Sequence, residues 1–419
     1  MQFLIKLALK NLSRHKLRTF ISLIAIAFSV MVVVFARGYI MGMIDSFVMH
    51  SVQYDTGHIK IITEEYRKQQ RLLPLNFPVD GYNQEGIDPM IAEISKMDNI
   101  KSVMPRLKFG AIIGGDNDVT TLLAWGVDPE KELKNTGIRS YIKEGRMLQL
   151  GKREIVMGGM MMDNLGKKVG DKVTIVYNTS FNSMKGTTFT IVGRIESGMA
   201  MLNELVVYLP LDEVQRLLYM EGQTTELVVF TKNIGMSDKV LPKLKAAVEA
   251  KDTEKKYAVL SYKETSELLP WMEMARLIYN EIYIFIVLLA SIVVINTMIM
   301  IVKERTKEIG MMTAMGLNSR DILNLFILEG AVMGAIGSFA GALVGTLIGL
   351  YTSVKGLDMS SAVSGFSKDI MFNAIVYPVN SVSNAIFAFV LGTIIVTLAC
   401  IIPARRASRL EPAEAIRDE

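Results

Sequence analysis

The stretch Ile282-Tyr-Ile-Phe-Ile-Val-Leu-Leu-Ala-Ser-Ile-Val-Val-Ile-Asn-Thr-Met-Ile-Met-Ile-Val302 carries no charged side chain. A helix of roughly 20 apolar residues, rising about 1.5 Å per residue, crosses the hydrocarbon core of a bilayer, so this run predicts a transmembrane span. Outward from it, runs of the same character occupy residues 20–40, 322–351 and 383–402, and no other stretch comes close. Of the 419 residues 50% are hydrophobic, and the mean hydropathy of +0.32 is high for a soluble protein. A net charge of +4 is too small to point to nucleic acid. The single cysteine, Cys400, excludes an intramolecular disulfide and, inside an apolar run, reads as a buried thiol.

Cationic flanks orient these spans. Lys6, Lys10, Arg14, Lys16 and Arg18 precede the first run, Lys303, Arg305, Lys307 and Arg320 separate the second from the third, and Arg405, Arg406 and Arg409 follow the fourth. Cytoplasmic flanks collect Lys and Arg, so all three clusters predict cytoplasmic termini and a first loop on the opposite side. No small-residue cleavage site follows the first run, which reads as an uncleaved anchor. The expected order is a cytoplasmic interfacial helix at 1–19, with Leu4, Leu7, Ala8 and Leu12 on one face, and a first span at 20–42. An extracytoplasmic domain at 43–278, a span at 279–302, a cytoplasmic helix at 303–321 and a span at 322–351 follow. A short outer loop at 352–382, a last span at 383–402 and a cytoplasmic tail at 403–419 complete the chain.

Between the first two spans the pattern changes to short β-rich runs separated by Gly, Asn and Asp, with a few amphipathic helices, the mark of a folded α+β domain. Its outer α/β subdomain is expected from residues 57–109 and 225–262, with strands at 58–63 and 227–231 and helices at 89–97 and 238–250. A β-rich insertion fills 110–222, with strands at 121–125, 154–157, 172–177, 188–194 and 205–208. Little here suggests chemistry. His50 and His58 are too poorly accompanied for zinc, Asp116 and Asp118 lack the spacing of a calcium loop and read as a hairpin tip, and no Gly-x-Ser-x-Gly elbow occurs. No catalytic or metal-binding residue is assigned. Met157, Met160, Met161 and Met162 are read as core, with a flexible binding surface as the alternative.

The segment Val302-Lys-Glu-Arg-Thr-Lys-Glu-Ile-Gly-Met-Met-Thr-Ala-Met-Gly-Leu-Asn-Ser-Arg-Asp-Ile322 joins spans two and three. Ile309, Met312 and Met315 recur at helical spacing, Gly316 can end that helix, and Asn318 or Ser319 can cap the next. Glu304, Arg305, Glu308, Ile309, Gly310, Ala314, Gly316 and Ile322 match the motif E-R-x-x-E-I-G-x-x-x-A-x-G-x-x-x-x-x-I, which resembles the FtsX/MacB/LolC-LolE class of ABC-transporter permeases. The ending from Pro403 to Arg417 is similar to that class too, as are Gly126-Val-Asp-Pro129, Glu144-Gly-Arg146, residues 166–171 and Phe189-Thr-Ile-Val-Gly193 in a MacB-like periplasmic core.

The resemblance implies a mechanotransmission permease in a bacterial inner membrane, with its large domain in the periplasm. The segment after span two then docks on an ATPase, and Glu304, Arg305, Glu308, Ile309, Met311, Met312, Met315 and Gly316 inherit that coupling role by position. No G-x-x-x-x-G-K-[ST] loop occurs, so ATP and Mg are expected on a separate ATPase homodimer; this chain is expected to bind no cofactor and to be no enzyme itself. The approach to span two looks like LolC/LolE, which implies extraction of lipoproteins toward a periplasmic carrier, alongside a second permease copy or a sister permease. Phe35, Met41, Met43, Ile44, Phe47 and Val48 would form an apolar entrance for lipid. MacB-like efflux of peptide, toxin or drug and FtsX-like signalling to a cell-wall hydrolase stay open as alternatives.

Polar groups are scarce within the spans, which argues against a hydrophilic conduit. Asn296 is expected to form an interhelical hydrogen bond and Glu329 to pair with a basic neighbour. Gly330, Gly334, Gly337, Gly341, Gly345 and Gly349 are expected to give span three a close-packing face. Arg37 reads either as a snorkelling anchor or as a partner for an anionic headgroup.

Overall fold

The structure, a computed structural model, describes residues 16–114, 119–252, 254–265, 269–359 and 375–409. The N-terminal part of the expected interfacial helix, the tip carrying Asp116 and Asp118, and the C-terminal motif beyond Arg409 lie outside them. The protein is an α-helical membrane protein with a large α/β domain, and the two divide into separate compact units.

Among the described residues four helices are long and apolar enough to cross a membrane: Lys16–Thr56, Leu269–Glu304, Ser319–Lys355 and Val382–Ser408. Span three draws its neighbours close because its glycines leave the helix surface bare. A Cβ at Gly337 would lie 2.8 Å from Ile26 Cβ, one at Gly341 2.9 Å from Ala27 Cα, and one at Gly345 2.9 Å from Val34 Cβ, all on span one. Gly330 and Gly334 instead face span four, where a Cβ on the latter would sit 3.2 Å from Val396 Cβ and one on the former would collide with Cys400. The expected glycine face thus meets two partners along its length, span four through Gly330 and Gly334 and span one through Gly337, Gly341 and Gly345. Cys400 is fully buried at this contact.

Within this chain, among the described residues, Asn296 makes no interhelical hydrogen bond. It lies on the exposed stripe of span two with Phe285, Leu289, Ile292 and Met300, and among the described residues its amide has no hydrogen-bond partner. Spans one and two are joined one residue further on, where Ser22 Oγ donates to Thr297 Oγ1 at 2.9 Å.

The α/β unit is built on ten strands: β1 (Ile59–Thr63), β2 (Ile100–Gly114), β3 (Val119–Val127), β4 (Ile142–Gly145), β5 (Glu154–Gly158), β6 (Lys172–Asn178), β7 (Met184–Ile195), β8 (Val206–Pro210), β9 (Glu226–Thr231) and β10 (Tyr257–Ser261). Its outer part runs β10-β1-β9-β2, antiparallel throughout. Strand alternation turns Ile59, Ile61, Leu227 and Val229 toward the helices Ile87–Ser95 and Ser237–Glu249, which contribute Met90, Ile94, Leu244 and Val248 to one core. The inserted part is a closed ring, β2-β3-β8-β5-β7-β6 and back to β2. Only the β3–β8 and β5–β7 pairs within it are parallel. Met157, Met161 and Met162 are buried in its core, while Met160 is exposed. The strand shared by both parts, β2, runs for 15 residues.

Candidate functional site

The helix Leu269–Glu304 breaks at Arg305, whose φ of −100° and ψ of 13° leave the helical region before the short helix Thr306–Ala314 begins. Gly316, at φ +98°, then turns the chain through a conformation that a side chain would strain. Asn318, with extended backbone, occupies the cap position of Ser319–Lys355, although its side chain makes no capping bond.

Arg305 ties this hinge to span three. Its Nε donates to Glu308 Oε2 at 3.0 Å and its Nη1 to Glu329 Oε1 at 3.4 Å, and the arginine and Glu329 are both buried. Glu329 therefore pairs with a cation, as its neighbourhood requires. Glu304 is paired with Arg18 of span one. Ile309 is fully buried and Met312 half-buried, whereas Met311 and Met315 are 53% and 76% exposed. The short helix thus has one face in the bundle and one facing out, the latter carrying two flexible thioethers beside the half-exposed carboxylate of Glu308. Arg305 and Ile309 hold that face from within and have no surface of their own to offer a docked protein.

Of the residues grouped as an apolar entrance, Phe35, Met41, Met43, Ile44 and Val48 are half-buried, but Phe47 is only 3% exposed. Phe47 is a core side chain and presents nothing to a lipid; its apolar character fits both roles, and helical position alone did not separate them.

The α/β unit holds a group of charges that the sequence reading did not single out. Lys60 Nζ lies 2.8 Å from Glu226 Oε2, Lys108 Nζ lies 2.7 Å from Glu226 Oε1, and Lys108 also pairs with Asp55 on the turn Ser51–Thr56. Beside them Arg106 Nη2 grips both oxygens of Glu132 at 2.9 and 3.1 Å, while its Nη1 donates to the carbonyls of Tyr54 and Asp55. Trp125 lies against both cations, with Arg106 Cζ 4.9 Å and Lys108 Nζ 4.7 Å from its ring centre. Glu132 is placed by the Gly126-Val-Asp-Pro129 stretch, because Asp128 caps the helix Pro129–Thr136 by accepting from Glu130 N and Lys131 N. Burial alone would raise the pKa of Asp55 and Glu226, but Lys108 and Lys60 hold both carboxyls below their ordinary range. One signal was available: Arg106 and Lys108 stand two apart on β2, hence on one face.

Two families match successive parts of the chain. Residues 19–256 match the family described as MacB-like periplasmic core domain, and residues 281–412 match FtsX-like permease C-terminal. The lipoprotein-releasing system transmembrane protein LolC of Xylella fastidiosa (strain 9a5c) is 20% identical over 334 residues, 76% of this chain and 78% of that one. LolC of Neisseria meningitidis serogroup B is 24% identical over 344 residues, 76% of this chain and 79% of that one. The macrolide export ATP-binding/permease protein MacB of Nitrobacter winogradskyi is 32% identical over 142 residues, 34% of this chain and 19% of that one.

Proposed function

The chain belongs to the MacB-like periplasmic core family and is an ABC-transporter permease of the FtsX/MacB/LolC-LolE class, and on that premise we propose that it couples a separate ATPase to the release of lipoproteins from the bacterial inner membrane. The observation that carries this reading is coverage: the similarity to LolC runs through three quarters of both chains, across spans and domain alike, at 76% and 78%. The cationic flanks support cytoplasmic termini and a periplasmic α/β domain. In this arrangement the exposed face of Thr306–Ala314, with Glu308, Met311 and Met315, receives the ATPase homodimer that holds ATP and Mg. A lipidated protein enters beside span one, along Phe35, Met41, Met43, Ile44 and Val48, and leaves on a periplasmic carrier.

A second permease, either another copy or a sister chain, completes the membrane part. The unpartnered amide of Asn296 supports this, since a mid-span amide facing hydrocarbon costs free energy that a second polar helix would recover.

Reconstitution with the partner ATPase tests the proposal: an acylated lipoprotein should be released to an added carrier in an ATP-dependent way. The MacB similarity, at 32% identity over 142 residues, favours one other reading, export of a drug or peptide. Failure to release lipoprotein, together with ATP hydrolysis stimulated by a soluble peptide or macrolide, would replace the first reading with the second.

A further inference from the structure

Three spans meet at a single guanidinium. Arg37 of span one donates from Nε to Asn384 Oδ1 of span four at 3.1 Å and from Nη1 to Asn280 Oδ1 of span two at 3.1 Å. The ring of Phe387 lies beneath it, with Cζ 3.9 Å from the ring centre. The orientation of Asn384 is fixed in turn: it is buried, and its Nδ2 donates to Val379 O, whose own amide donates to Gly38 O at 2.9 Å. The guanidinium is therefore held in one plane by two amide oxygens and an aromatic face.

Those partners satisfy two N–H groups and cancel no charge. A guanidinium has five donors, and the rest, including both on Nη2, have no partner among the described residues. No described carboxylate lies within ion-pair distance of Arg37, and Arg276, exposed on span two, stands one helical turn before Asn280, whose amide oxygen accepts from Arg37 Nη1. Two cations at the rim of an apolar bundle, one of them pre-oriented with a free fork, form an electrostatically incomplete arrangement. Orienting three helices would need only a neutral donor; here a full charge has been placed, and no described carboxylate compensates it.

We propose that Arg37 and Arg276 bind a phosphate-bearing anion, the phosphodiester headgroup of a membrane lipid, between spans one, two and four. The planar fork of Arg37 suits two phosphate oxygens, and Arg276, exposed one turn before Asn280, supplies the second cation. This site is independent of what the transporter carries.

The test uses the full-length chain purified in detergent and observed by native mass spectrometry. It is offered phosphatidylglycerol, diacylglycerol with the same acyl chains, or inorganic phosphate. Wild type should retain phosphatidylglycerol over diacylglycerol by roughly tenfold, and Arg37→Gln should abolish that preference. Arg276→Gln, at an exposed position, should weaken it several-fold without touching the helix contacts, so it reports on binding even if Arg37→Gln unfolds the bundle. Displacement of the lipid by inorganic phosphate in wild type, absent in both variants, would support the same anion site while assigning it a soluble source. Equal retention of the two lipids, or a preference unchanged by Arg276→Gln and Arg37→Gln alike, would overturn the proposal.

Discussion

Arg106 in the α/β unit and Arg305 in the membrane-helix unit are 0% and 6% exposed, yet their surroundings differ in kind. Arg106 sits in a closed set in which three cations, Lys60, Arg106 and Lys108, meet three carboxylates, Asp55, Glu132 and Glu226. Arg305 is bound on one side to buried Glu329 and on the other to half-exposed Glu308, so its tie opens onto the surface where the short helix faces out. A closed set gains nothing from a partner, because every charge is already met. An open one is a place where a neighbouring protein can alter the balance. Charge balance inside a fold thus separates what holds a domain together from what is left available for use.

The largest expected effect breaks the closed set. Glu226→Gln leaves Lys60 buried without a counter-charge and should cost about 3–5 kcal/mol in denaturant unfolding followed by tryptophan fluorescence. Lys60→Met combined with Glu226→Leu should recover most of it; a single variant as stable as wild type would mean the set contributes no specificity.

Gly341→Leu comes next, by about 1–3 kcal/mol, because the new side chain meets the backbone of span one at Ala27. Gly349→Ala is its control, since a Cβ there meets only Asn380 at an ordinary 3.6 Å. Thermal melts of the detergent-solubilised protein compare the two, and equal melting temperatures would refute the close approach of span one at Gly341.

Met315→Asp should move stability by only about 0.5 kcal/mol, the range of an exposed surface change, while lowering ATP-driven transport severalfold. Full transport in that variant would remove the docking role from the outward face of the hinge helix.

The smallest effect is a slope. Burial, helped by Lys101, pushes the His58 pKa down to about 4 from an ordinary 6.5, and its neutral Nδ1 accepts the Thr231 amide at 3.0 Å. The unfolded chain takes up a proton that the folded one refuses, so this contribution is complete above pH 6.5 and is lost as pH falls toward 4. His58→Gln should flatten unfolding free energy across that window. Below it, loss of the depressed carboxyls Asp55 and Glu226 should steepen the decline in both proteins.

How much of this could be read from the sequence depended on whether one physical rule was enough. The four spans, the turn at Gly316 and the close-packing glycines each follow from a local pattern, since length, φ and side-chain size act alone. The strand β2 did not, because Pro105 and the charges of Lys101, Arg106 and Lys108 look unlike a central strand. The buried cations Arg106 and Lys108 are tolerated only because Asp55, Glu132 and Glu226 arrive from other parts of the chain. Phe47 and Asn296 turn in opposite directions. Helical position did not tell that the phenylalanine turns inward and the asparagine outward, since that is set by which neighbours pack against each helix.

The long β2 strand has a kinetic consequence. Its first half pairs with β9 through Val103 and Val229, and its second half pairs with β3 and β6 through Ile113, Thr120 and Ile175. One backbone thus belongs to both lobes and couples their ladders. The amides of Val103 and Ile113 should therefore exchange with deuterium together, through a single opening of the whole domain. On that expectation a domain that looks like two lobes opens as one foldon.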